Sequence, residues 1–168
     1  MGIHPIYLKS FEDSPESLSM FLKGYECQIK GNLSLSIHYY RKSIFKKQTA
    51  EAYSFLAWTF SLLNKPKNAI RLCKKAIQID PSLGNPYNDI GVYLMDLRKY
   101  SLSIPYFQKA KTAERYECRF YPYFNLGRVY EILGRVELAR IEYKTAIEIE
   151  PRYEFAKQSL NRLKRIYN

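Results

Sequence analysis

The sequence predicts an all-α solenoid, four helix–turn–helix units in tandem closed by a capping helix. Two observations carry this prediction. Small and large residues recur with a period near 34 residues, the mark of stacked supersecondary units. Within each period the apolar residues fall three and four apart, the spacing of amphipathic helices. Composition agrees: 168 residues, 46% hydrophobic and 26% charged, describe a globular chain able to bury a core.

The register is set by Gly24, Ala57, Gly91 and Gly127, spaced 33, 34 and 36 apart. Four residues before each stands a large residue: Met20, Tyr53, Tyr87 and Tyr123. Twelve after each comes Ser36, Ala69, Ser103 or Ala139, and sixteen after comes Tyr40, Cys73, Phe107 or Tyr143. Nineteen after, the residue is small again: Ser43, Ala76, Ala110 or Ala146. The small positions let two backbones approach, and the large ones fill the space between layers.

Punctuation separates the helices. Gly31-Asn32, Asn64-Lys65-Pro66 and Gly134 mark turns inside three units, whereas the third has only Leu97-Arg98-Lys99 there. Asp80-Pro81 and Glu150-Pro151 stop helices, while Pro86 and Pro122 suit first helical turns. Ser14-Pro15 reads as cap and first residue of the opening helix. Pro105 is expected as the fourth residue of a helix capped by Ser101, where its missing N–H costs nothing. The last segment, from about Tyr153 to Tyr167, has one apolar stripe of Ala156, Leu160, Leu163 and Tyr167, as a capping helix needs. Nine helices and no fifth unit are expected.

These residues resemble the tetratricopeptide repeat, a helix–turn–helix unit of about 34 residues. The resemblance covers residues 17–151. It implies a right-handed superhelical solenoid with units at 17–49, 50–83, 84–119 and 120–153, after a tail at 1–16 and before the cap at 152–168. Unit four matches best, through Tyr123, Leu126, Gly127, Tyr130, Ala139, Tyr143, Ala146 and Pro151. Lys23 stands at an apolar position, and Gln48 and Arg115 stand where proline is usual. The third unit exceeds the 34-residue period by two residues, which would alter the rise to the fourth.

In that family the first helices line a concave groove that binds peptides. The resemblance therefore implies a peptide-binding groove of Phe21, Tyr25, Ser54, Trp58, Asn85, Asn88, Tyr121, Phe124 and Arg128. Leu18, Gln28, Glu51, Ser61, Val92, Met95 and Glu131 occupy further positions on the same face. Aromatic rings there supply apolar area and amides pair with a ligand backbone. Some members grip a C-terminal carboxylate of heat-shock chaperones with Lys, Arg and Asn. The matching places here hold Phe21, Tyr25, Phe55, Asn85 and Asp89, or Ser54, Trp58, Asp89, Tyr121 and Asn125. The basic set is absent and Asp89 would repel a carboxylate, so this role is disfavoured.

Nothing in the sequence looks catalytic, and no cofactor or metal is expected. There are two histidines, His4 and His38, and three scattered cysteines, Cys27, Cys73 and Cys118, with no phosphate loop or zinc motif. The leading expectation is a non-catalytic module that binds a protein or peptide segment as scaffold or adaptor. The alternatives are an accessory to an anionic partner and, by analogy alone, a secretion chaperone. The first alternative rests on the net charge of +11. Arg41, Lys42, Lys46, Lys47, Arg71, Lys74, Lys75, Lys109, Lys111, Arg140 and Lys144 would form a basic convex ridge. No nucleic-acid motif accompanies them, so nucleic acid is disfavoured. No membrane span and no signal peptide are read, which makes the cytoplasm the expected compartment. The apolar tail His4-Pro5-Ile6-Tyr7-Leu8 would cover unit one, lie in the groove, or pair with a second copy.

Overall fold

The structure, a computed structural model, describes residues 3–167. Nine α-helices follow two single-turn 3-10 helices among these residues. The helices are α1 (Pro15–Ile29), α2 (Leu33–Lys46), α3 (Ala50–Leu62), α4 (Pro66–Ile79), α5 (Asn85–Asp96), α6 (Tyr100–Thr112), α7 (Phe120–Ile132), α8 (Val136–Ile149) and α9 (Glu154–Ile166). Helices α1, α3, α5 and α7 each pack on the next even helix, α2, α4 and α6 each pack on the first helix of the following unit, and α8 packs on α9. The result is an all-α solenoid.

The packing inside a unit follows from the register. A Cβ on Gly24 would lie 2.7 Å from Tyr40, on Gly91 2.5 Å from Phe107, and on Gly127 2.6 Å from Tyr143. The aromatic sixteen residues on thus lies directly against the glycine backbone. Unit two solves the same contact differently: Ala57 has its Cβ, and the facing residue is the smaller Cys73, with both fully buried. In units one and four the aromatic is a tyrosine with a destination for its hydroxyl. Tyr40 donates to Gln28 Oε1 at 2.7 Å, and Tyr143 donates to Glu131 Oε2 at 2.8 Å. A buried phenol needs such a partner.

All four turns within units take one form. Gly31, Asn64, Arg98 and Gly134 have φ of 79°, 55°, 56° and 71°. In unit two, Asn64 N–H reaches Ser61 O at 2.8 Å and Lys65 N–H reaches Phe60 O at 3.0 Å. This double bond pattern satisfies the orphan carbonyls of the helix end. Unit three lacks a turn residue in its sequence and forms the same motif, with Arg98 in the left-handed region. That conformation costs a non-glycine residue about 1 kcal/mol, and glycine's extra unfolded-state freedom returns part of it. Arg98→Gly is therefore expected to stabilise the chain by about 0.5 kcal/mol and raise the thermal midpoint by about 1–2 °C. Calorimetry that finds a lower midpoint would show that the Arg98 side chain holds the turn.

Two expectations are corrected. Helix α6 begins at Tyr100 after Lys99, so Pro105 lies inside it, beyond the first turn. Its ring takes the place of the N–H that would have met Ser101 O, and Ser101 is exposed. In α9, Ala156, Leu160 and Leu163 are buried as expected, but Tyr167 is exposed and Ser159 is buried. The last stripe position lies past the end of the helix, so the helical period no longer directs it inward.

The extra length of unit three lies in the α6–α7 loop, which pairs with the α4–α5 loop. Arg115 N–H meets Ser82 O at 3.0 Å, and Gly84 N–H meets Arg115 O at 3.0 Å, a short parallel bridge over the buried Leu83. Gly84 permits it: a Cβ there would lie 2.5 Å from Tyr116.

Candidate functional site

The N-terminal segment lies against the first helices of the solenoid. His4-Pro5 starts a 3-10 turn, with proline at its first position and His4 Nδ1 accepting the Ile6 N–H at 3.3 Å. A second turn spans Lys9–Phe11. The two turns aim Tyr7 and Phe11 inward. Phe11 stacks on Phe21 with centroids 4.8 Å apart. Tyr7 meets Phe55 edge-on at 5.7 Å, and its hydroxyl donates to Asn85 Oδ1 at 3.1 Å. Burial, aided by the charge of Glu117, pushes the Tyr7 phenol well above its ordinary pKa. Lys47 Nζ donates to Ser10 O at 2.7 Å and pairs with Asp13.

Arg115 holds this segment to the solenoid. Its Nη2 donates to Ile6 O at 2.8 Å and to Glu51 Oε1 at 2.6 Å, while Nη1 pairs with Asp80. The Glu51 side chain is 0% exposed. Burial raises the Asp80 pKa, but hydrogen bonds from the Ser82 hydroxyl and amide, with Arg115, outweigh it and leave that pKa lowered. A guanidinium has the forked donor set that three acceptors require.

The nine residues expected in the groove fall into distinct environments. Tyr25, Ser54, Trp58, Asn85, Asn88 and Tyr121 line one cavity of about 450 Å³. Trp58 and Tyr121 remain 42% and 38% exposed. Ser54 is buried and its hydroxyl returns to Ala50 O at 2.8 Å. Phe21 is wholly buried beneath Phe11. Asn85 is engaged by Tyr7, and the Asn88 carbonyl accepts from Asn125 Nδ2 at 3.1 Å, tying α5 to α7. Phe124 is half-buried against Tyr143 and Tyr153, with Arg128 5.8 Å from its ring. Of the further positions, Glu51, Gln28 and Glu131 are occupied by Arg115, Tyr40 and Tyr143.

The remaining walls of the cavity include Ile3, His4, Tyr7, Phe55, Asp89, Tyr116, Glu117 and Cys118. Sequence periodicity could not place the tail or the long α6–α7 loop, because neither belongs to the repeat. The Asp89 carboxyl is half-buried at the cavity wall, and desolvation raises its pKa to about 7, opposed by a hydrogen bond with Asn88. Among the described residues no three His, Cys, Asp or Glu side chains gather as a metal site, and no helix is long and apolar enough to cross a membrane.

The convex ridge is part solvated and part structural. Arg41, Lys42, Arg71, Lys74, Lys75, Lys109 and Lys144 are exposed. Lys46 pairs with Glu16 at 2.6 Å, and Lys111 bridges Glu142 at 2.8 Å while lying 4.1 Å from the Tyr123 ring centre.

Stacked helix pairs with a concave side lined by first helices define a repeat-solenoid protein. Two of its units, residues 50–83 and 121–153, match the model of the tetratricopeptide repeat. No curated protein matches the chain significantly. Among solved structures, Pseudomonas aeruginosa PilF aligns with a TM-score of 0.82 at 20% identity over 88% of this chain and 67% of its own. MamA aligns with a TM-score of 0.72 at 24% identity over 84% of this chain and 82% of its own. The first repeat domain of Spaghetti (RPAP3), solved with the HSP90 peptide SRMEEVD, aligns with a TM-score of 0.66 at 19% identity over 71% of this chain and 93% of its own. At these identities the likeness is one of fold.

Proposed function

We infer that the chain is a non-catalytic interaction module, an adaptor or scaffold that binds a protein or peptide segment on its concave side. The observation that supports this most directly is the cavity beside Trp58 and Tyr121. Two large rings stay exposed there in a wall otherwise engaged by the chain's own tail. Exposed aromatics with amides beside them are the residue types that anchor interfaces. The tail covers the surface of units one and two near Phe21, which leaves the ligand the stretch from Trp58 toward Tyr121, Phe124 and Arg128. The peptide in the Spaghetti (RPAP3) structure is a precedent on the same fold.

The test is affinity capture with three forms of the chain. Trp58→Ala with Tyr121→Ala removes both exposed anchors; Phe124 is left intact because it also packs unit four. An anchor is commonly worth about 2 kcal/mol, so the double variant is expected to lose roughly a thousandfold in affinity at unchanged helical content. Lys74→Glu with Lys75→Glu reverses two ridge charges away from the groove and is expected to keep the partner. Loss in the ridge form and retention in the groove form would instead assign binding to the convex side, with steep salt dependence.

A further inference from the structure

We propose that the cavity between the N-terminal turns, α3 and α5 receives an arginine or lysine side chain of the bound peptide. This rests on the groove reading above and names the chemistry that the groove selects.

Charge is the first argument. The chain carries a net charge of +11, yet no lysine or arginine lines this cavity, and both of its charged residues, Asp89 and Glu117, are acidic. Among the described residues, Asp89 has no cationic partner. A partly desolvated carboxylate without a counter-charge is unfavourable, and a cation brought by a ligand offsets that penalty.

Glu117 supplies a second, independent observation. Its Oε1 is buried and has no hydrogen-bond donor. The nearest nitrogen, His4 Nδ1, lies 3.3 Å away. Glu117 is held beside His4 and the Tyr7 hydroxyl and keeps its acidic Oε1 at the cavity wall, where a ligand cation would meet it.

The rings complete the match. Trp58, Tyr121, Tyr25 and Phe55 line the same space. Aromatic faces attract cations, Trp most strongly, and more so when water is excluded. A guanidinium or ammonium on a long apolar stem is the peptide group that suits ring faces and carboxylates together. A cavity of about 450 Å³ accommodates it. A peptide carboxylate, by contrast, would meet Asp89 and Glu117 with like charge.

The test is selection from a random dodecapeptide display library on the immobilised full chain, with sequencing of the retained pool. Arginine and lysine are expected to be enriched at least fivefold at one position on the wild type. That enrichment should vanish on Asp89→Asn and on Glu117→Gln, which keep side-chain shape; circular dichroism confirms that both fold. Binding of a retained basic peptide, followed through Trp58 as the sole tryptophan, should weaken at least tenfold when its arginine is replaced by glutamine. A retained pool without basic residues overturns the proposal, as does a basic preference that survives both carboxamide variants. If peptides are retained and lost on the Trp58→Ala, Tyr121→Ala form but show no basic preference, the groove reading stands and only this proposal falls. If nothing is retained, or acidic peptides are held and released by Lys74→Glu, Lys75→Glu, both fall.

Discussion

Replacing Arg115 by methionine is expected to destabilise the chain by about 3–5 kcal/mol, the usual result of stranding a buried ionic partner. Methionine keeps much of the stem and deletes the charge. Glu51, wholly buried, then loses the donor to its Oε1, Asp80 loses its cation, and the Ile6 carbonyl loses its hydrogen bond. Two further measurements separate these effects. Glu51→Gln in the Arg115→Met background removes the stranded charge and should recover a large part of the loss in chemical denaturation. Release of the tail from its 3-10 turns should speed tryptic cleavage after Lys9, which is already exposed, under native conditions. If the single variant unfolds at the wild-type denaturant midpoint, the three-acceptor junction does not hold the α6–α7 loop and the tail in solution.

The second large effect lies in the glycine–aromatic contacts. Gly127→Leu is expected to cost at least the roughly 1–3 kcal/mol typical of overpacking, because even its first carbon would lie 2.6 Å from Tyr143. Tyr143 is fully buried and hydrogen-bonded to Glu131, so it has no easy route aside. Unit two allows the converse experiment. Cys73→Tyr should destabilise, since Ala57 occupies the space that glycine leaves open in the other units. Adding Ala57→Gly should recover about 0.5–3 kcal/mol, the range of coupling between residues in contact. Additive single effects in that thermodynamic cycle would show that the two positions do not share one contact.

These contacts also explain what could be read in advance. The spacing of Gly24, Ala57, Gly91 and Gly127 with their partners sixteen residues on was visible as a pattern of size. It persists because each unit repeats one local packing problem, and local problems leave a periodic trace. The turn at Arg98 left no such trace. Its conformation is imposed by the helices on either side, which overcome the residue's own preference. Pro105 misled for a related reason: helix α6 starts earlier than its serine suggested, because packing on α5 and α7 outweighs a single cap.

The candidate groove divides the same way. Trp58, Tyr121 and Arg128 are exposed. Phe21, Ser54 and Asn85 are engaged by groups from elsewhere in the chain or from their own helix. Arg115 stood out in the sequence only as a missing proline.

The sequence by itself determined that the chain forms helices paired into stacked units, since that depends on neighbours three, four or sixteen residues away. The tertiary structure alone decided where the tail lies, which carboxylates are paired and which are left open, and hence the chemistry of the cavity. Those outcomes join Ile6, Glu51, Asp80 and Arg115 across as many as 109 residues of chain. Nothing in a 34-residue period encodes a contact of that separation; it forms only once stacking has brought the loops and the tail to one edge.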